Sequence, residues 1–100
     1  MAVFLISSCN IEDPERYATY APGVMPLLQK HGAEVLAADN ELTALEGPAR
    51  DTTVILKFPS EEAVQNFYDD PDYAPLKEIR LGSTSNGSVL LVKEFVPRSG

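Results

Sequence analysis

Three stretches of the chain, Val3-Phe4-Leu5-Ile6, Val54-Ile55-Leu56 and Val89-Leu90-Leu91-Val92, are apolar at successive positions. Neighbouring residues of a strand point to opposite faces, so each run sends apolar side chains to both faces of the sheet it joins. Between the first two runs the period changes. Asp13-Pro14-Glu15 supplies a capping carboxylate, a proline where no helical N–H is needed and an acid in the first turn. Tyr17, Tyr20, Ala21, Val24, Leu27 and Leu28 follow at helical spacing up to His31-Gly32, where glycine marks the stop. Pro22 and Pro26 lie inside that pattern; each lacks a donor and crowds the preceding turn, which predicts a kink near Pro22-Gly23.

The same reading predicts strands at 2–8, 33–38, 52–58 and 89–96. Residues 41–46 either extend the second strand or fold back as a hairpin arm, and Gly47-Pro48 ends that segment. Ser60 caps a helix carrying Ala63, Val64, Phe67 and Tyr68, with Glu61 and Glu62 at its positive end. Asp70-Pro71-Asp72 repeats the cap and opens a short helix with Tyr73, Leu76, Ile79 and Arg80 that ends at Gly82. Residues 83–88 are expected as a loop, with Asn86-Gly87 as its turn signal. The order is β-α-β-β-α-β with the second helix split in two. It predicts one α+β domain over 1–100, a ferredoxin-like sandwich with an antiparallel sheet.

Two helical segments cover one face of such a sheet. The two-sided runs leave the other face as a contiguous apolar patch, larger than soluble monomers usually expose. A second copy related by a two-fold axis is the economical cover, burying about 1,500 to 2,000 Å² in total. The expected assembly is a homodimer through the sheet face.

Composition narrows the partners. A chain of 100 residues, 44% hydrophobic, suits one compact core. The single Cys9 cannot form an intrachain disulfide, and no Cys/His cluster has metal spacing. The apolar stretch 2–6 is short and lacks a basic leader, so it reads as neither signal peptide nor membrane span, and a cytoplasmic protein is expected. A formal charge of −7 with scattered basic residues argues against nucleic acid and anionic membranes.

Candidate chemistry is sparse. Tyr17 and Tyr20 share a helix, and Tyr68 and Tyr73 flank the next cap beside Phe67. Together they suit the wall of a pocket for a small flat molecule, or simply ring packing with the hydroxyls satisfied locally. His31 is the candidate general base, yet its place at a helix end also suits an imidazolium complementing the dipole. Arg80, on the apolar side of its helix, is placed to hold a carboxylate or enolate, or to pair with one of the chain's acids. Glu46 is a candidate acceptor at a loop edge, and Cys9 has no activating partner in sequence. Walker, dinucleotide, zinc and serine-nucleophile motifs are absent.

The stretches "DPERYATY" at 13–20, "HGAEVL" at 31–36, "LEG" at 45–47 and "FPSEEAVQNFYDDPDYAPL" at 58–76 resemble a bacterial family known as domain of unknown function thirteen-thirty. The likeness runs through nearly the whole chain, and the Phe-Tyr-acid-x-Pro-x-Tyr stretch is its most specific piece. It departs at His31-Gly32-Ala33, where the family more often has a second glycine. The resemblance implies a dimeric α+β barrel of two ferredoxin-like subunits packed sheet to sheet. Relatives by fold include cofactor-free monooxygenases, small isomerases and haem-handling proteins, and a sole histidine at a helix end disfavours haem. The functional expectation is a homodimeric protein that binds a small molecule without a cofactor, as a monooxygenase-like or isomerase-like enzyme on an aromatic or carbonyl metabolite. The alternative is a non-catalytic module whose barrel serves only assembly.

Overall fold

The computed structural model describes residues 1–97. Its four strands are β1 (Val3–Ile11), β2 (Glu34–Asp39), β3 (Thr52–Phe58) and β4 (Thr84–Lys93), in the order β2-β3-β1-β4 with every neighbouring pair antiparallel. The helices are α1 (Pro14–Tyr17), α2 (Tyr20–Lys30), α3 (Glu61–Tyr68) and α4 (Ala74–Ser83). This is the ferredoxin-like α+β sandwich. Among the described residues, no helix is long and apolar enough to cross a membrane.

β1 runs three residues past its expected end at residue 8 because it is central and bonded on both sides. Ser8 Oγ meets Thr53 Oγ1 at 3.0 Å, and the Ile11 amide donates to Asp51 Oδ2 at 2.9 Å. Alternation then sorts the strand. Val3, Leu5 and Cys9 turn inward with Leu56 and Phe58, and they pack under Val24, Leu27, Leu28, Val64, Phe67 and Tyr73. Register puts Phe4 opposite Val92, and Ile6 opposite Ile55 and Leu90, so these five share the outer face. There Leu90 stays 57% and Val92 41% exposed.

The chain breaks at Ala18-Thr19, not at the expected Pro22-Gly23. Pro22 lies in the first turn of α2, where amides have no helical acceptor, and its ring excludes the carbonyl four residues back, that of Ala18. Pro26 is carried inside α2. At Gly23 a β-carbon would stand 2.5 Å from Leu76 Cδ2, so the small residue lets α2 and α4 close on each other.

Three more expectations are corrected. Residues 83–88 are not a loop: α4 runs directly into β4, and the Asn-Gly pair sits inside that strand as a bulge with Asn86 at φ 50. Asp70 does not cap α4, which starts at Ala74; its side chain instead closes a turn by accepting from the Asp72 amide at 2.9 Å. Residues 41–46 form neither extension nor hairpin. The edge strand β2 is exposed along all six residues, and a register shift between Val35 and Ala37 twists it.

Candidate functional site

The inner face of the sheet does not meet the helices everywhere. Between them lies a cavity of roughly 160 Å³, floored by Leu5, Ser7, Val54, Leu56 and Val89 and roofed from α2, α3 and α4. It opens between α2 and the edge strand, where Met25 is 44% and Val35 40% exposed.

All four tyrosines reach it, together with Phe67. Across the break between α1 and α2, Tyr17 stacks on Tyr20 with ring centres 5.9 Å apart and 18° between planes. Tyr20 crosses Tyr73 edge-on, their hydroxyls 2.8 Å apart. Tyr73 lies 4.6 Å from the Phe67 ring and 5.8 Å from that of Tyr68, whose outer side carries Lys77 Nζ at 4.3 Å. Burial pushes the Tyr17 and Tyr20 phenols above their ordinary range, helped by Cys9 and by Tyr73 respectively. They therefore stay neutral and act as hydrogen-bonding groups. Burial likewise raises the Cys9 thiol, which makes it a poor nucleophile.

Arg80 completes the lining. It projects from α4, whose last carbonyl, Ser83 O, accepts the Glu12 and Asp13 amides at 2.9 and 3.1 Å and so fixes α1 beside it. The guanidinium is buried, and among the described residues its Nε has no hydrogen-bond partner. The sequence left open a structural ion pair; among the described residues no carboxylate makes one. Burial pulls its pKa down, but Tyr73, Tyr20 and Tyr68 around it more than offset this, and the group remains a cation. Among the described residues lining the cavity it is the one charged side chain.

His31 is elsewhere. It caps the end of α2, and its Nε2 lies 2.8 Å from Asp70 Oδ2, which also accepts from Lys30 Nζ at 2.9 Å. These contacts, with the Asp72 amide, hold the Asp70 carboxyl well below the usual range and tie α2 to the α3–α4 turn. Glu46 lies in an exposed loop outside the cavity. Sequence reasoning missed two residues. Asp70 was read as a cap, and Ser7 was passed over although it shares strand parity with Leu5.

A helix-covered antiparallel sheet enclosing a tyrosine-walled cavity with one buried cation defines a small ferredoxin-like α+β protein with an internal cavity. The chain belongs to the family described as Domain of unknown function (DUF1330), which matches residues 2–95. No curated protein matches it. Among solved structures it is similar to a protein of unknown function from Rhodopseudomonas palustris, with TM-score 0.82 and 19% identity over 96% of this chain and 84% of that one. A dimeric ferredoxin-like protein of unknown function from Thermobifida fusca superposes with TM-score 0.68 at 14% identity, covering 94% and 92%. SnoaB, a cofactor-independent oxygenase from Streptomyces nogalater, gives TM-score 0.66 at 10% identity, covering 99% and 95%. At such identities these likenesses establish the fold alone.

Proposed function

We propose that this protein is a homodimer that binds a small planar organic molecule, an aromatic or carbonyl metabolite, in the cavity between helices and sheet, and acts on it without a cofactor. The observation that carries the reading is the cavity itself, apolar on its floor, walled by tyrosine rings and supplied with a single cation. Aromatic walls suit a flat ligand, and a few convergent polar groups orient it. No carboxylate or imidazole lines the cavity among the described residues, so chemistry there runs on a substrate that ionises by its own acidity. Arg80 and the phenols stabilise the oxyanion that results. A module used only for assembly has no need of such an opening.

The homodimer reading rests on Phe4, Ile6, Ile55, Leu90 and Val92, one continuous apolar face that no element of the described chain covers. That a fold neighbour is described as dimeric supports it. Light scattering is expected to report twice the 10.9 kDa chain mass, falling to one chain in Leu90→Glu. A thermal-shift screen of flat aromatic and carbonyl compounds tests the site, since a ligand at 100 times its Kd stabilises by about 2.7 kcal/mol. A screen without any hit removes the binding reading.

A further inference from the structure

Arg80 is nine-tenths buried, its Nε is sealed from solvent without an acceptor, and among the described residues no acid of the chain pairs with it. A buried cation in that condition is costly unless an anion completes it. The surroundings say which kind. Along β1 the inward side chains run Leu5, Ser7, Cys9, and register sets Leu56 and then Val35 beside Leu5. The Leu5 row is wholly apolar. Two residues on, ~7 Å along the strand, the Ser7 row carries a hydroxyl, and Cys9 and the phenols of Tyr17, Tyr20 and Tyr73 lie within the field of Arg80. The cavity thus sets an apolar row of its floor and one buried cation within the same small space. Its roughly 160 Å³ matches the about 150 Å³ in which an engineered apolar cavity admits benzene.

Resting on the proposed small-molecule site, we infer that the ligand is a planar monocarboxylate built on a single ring, its ring over the Leu5 row and its carboxylate on the Arg80 guanidinium. A planar fork of donors fits a carboxylate with two parallel hydrogen bonds, which a lysine cannot reproduce. The Tyr20–Tyr73 hydroxyl pair, 2.8 Å apart, has a lone pair and a proton to reorganise toward the same oxygen.

Benzoate and its neutral isostere benzamide are the probes, titrated calorimetrically into the wild-type protein and into Arg80→Gln. Wild type is expected to prefer benzoate by about tenfold or more, as a charge-assisted bidentate pair does, and Arg80→Gln to bind benzoate no better than benzamide. In wild type, benzoate alone is expected to shift the Arg80 Nε–Hε resonance, so the outcome does not depend on the variant folding. If benzamide binds as tightly as benzoate, or the resonance stays still on saturation, the carboxylate assignment is wrong while the small-molecule site stands. If neither probe binds at millimolar concentration and the broader screen does give hits, the single-ring class is wrong. With no hits at all, both readings fall.

Discussion

Asp70 and Arg80 are equally buried, each 7% exposed, and both lie close to Tyr73. Their company differs. Asp70 receives Lys30, His31 and the Asp72 amide and has nothing left to satisfy. Among the described residues Arg80 has no acid, and its Nε is an orphan. A buried charge whose donors are all supplied by its own chain is part of the architecture, here the clamp between α2 and the α3–α4 turn. A buried charge left incomplete in a cavity is a demand on something outside the chain. The contrast separates the two residues more sharply than their residue types do.

The largest effect that sharpens it is Asp70→Leu. It removes the acceptor of three donors, at least one of them on a largely buried ring, and the melting temperature is expected to fall by several degrees with binding at Arg80 lost only in proportion to unfolding. The pH dependence follows from the same contacts. Because folding holds the Asp70 carboxyl below its ordinary value, the unfolded chain binds the proton first. Its contribution is fully present above the unfolded pKa near about 4 and drains away as pH drops from there toward the folded value. Denaturant midpoints measured from pH 6 down to 2 should slope in wild type and flatten in Asp70→Asn. A flat wild-type profile would dissolve the difference between the two charges.

Arg80→Met is expected to act with the opposite sign. It keeps the aliphatic stem and removes an unpaired buried cation, so the ligand-free protein gains on the order of 1 kcal/mol, read as a higher urea midpoint at unchanged slope. Carboxylate binding is lost at the same time. Stabilisation bought at the expense of binding marks a functional group; destabilisation would place Arg80 with Asp70 as architecture.

The residues announce this contrast unevenly. The element order, the two-sided strands and the capped helix at Ser60 follow from period and cap chemistry, which are local. Long-range partners override the local signals at the margins. Asn86-Gly87 looks like a turn, but β1 beside it supplies a ladder that a bulge satisfies. Pro22 looks like a kink, but its steric reach acts on Ala18, one turn earlier. At the site, each tyrosine and Arg80 lies on the apolar side of its own helical segment, and since these segments cover the same sheet face the residues are legible as neighbours. What periodicity cannot tell is whether one of the chain's 15 acids reaches Arg80, since that depends on contacts between residues far apart in sequence. Asp70 illustrates the difficulty: it accepts from residues 39 and 40 positions away.

Tyr20→Phe is the smallest of these changes and the most selective. Among the described residues the Tyr20 hydroxyl meets only the Tyr73 hydroxyl, and Tyr73 connects the two charges, its amide on the Asp70 carbonyl at 2.8 Å and its phenol beside Arg80. Losing one neutral hydrogen bond costs about 1 kcal/mol, while the ring stacking with Tyr17 is kept. If Asp70 is architecture, the acid limb of the stability profile should keep its shape, merely lowered. If Arg80 awaits a carboxylate, benzoate affinity should fall only modestly, because Tyr73 freed from Tyr20 can donate to the ligand instead. A change in the acid limb would show that the clamp and the cation are one coupled network through Tyr73, and the division between them would have to be redrawn there.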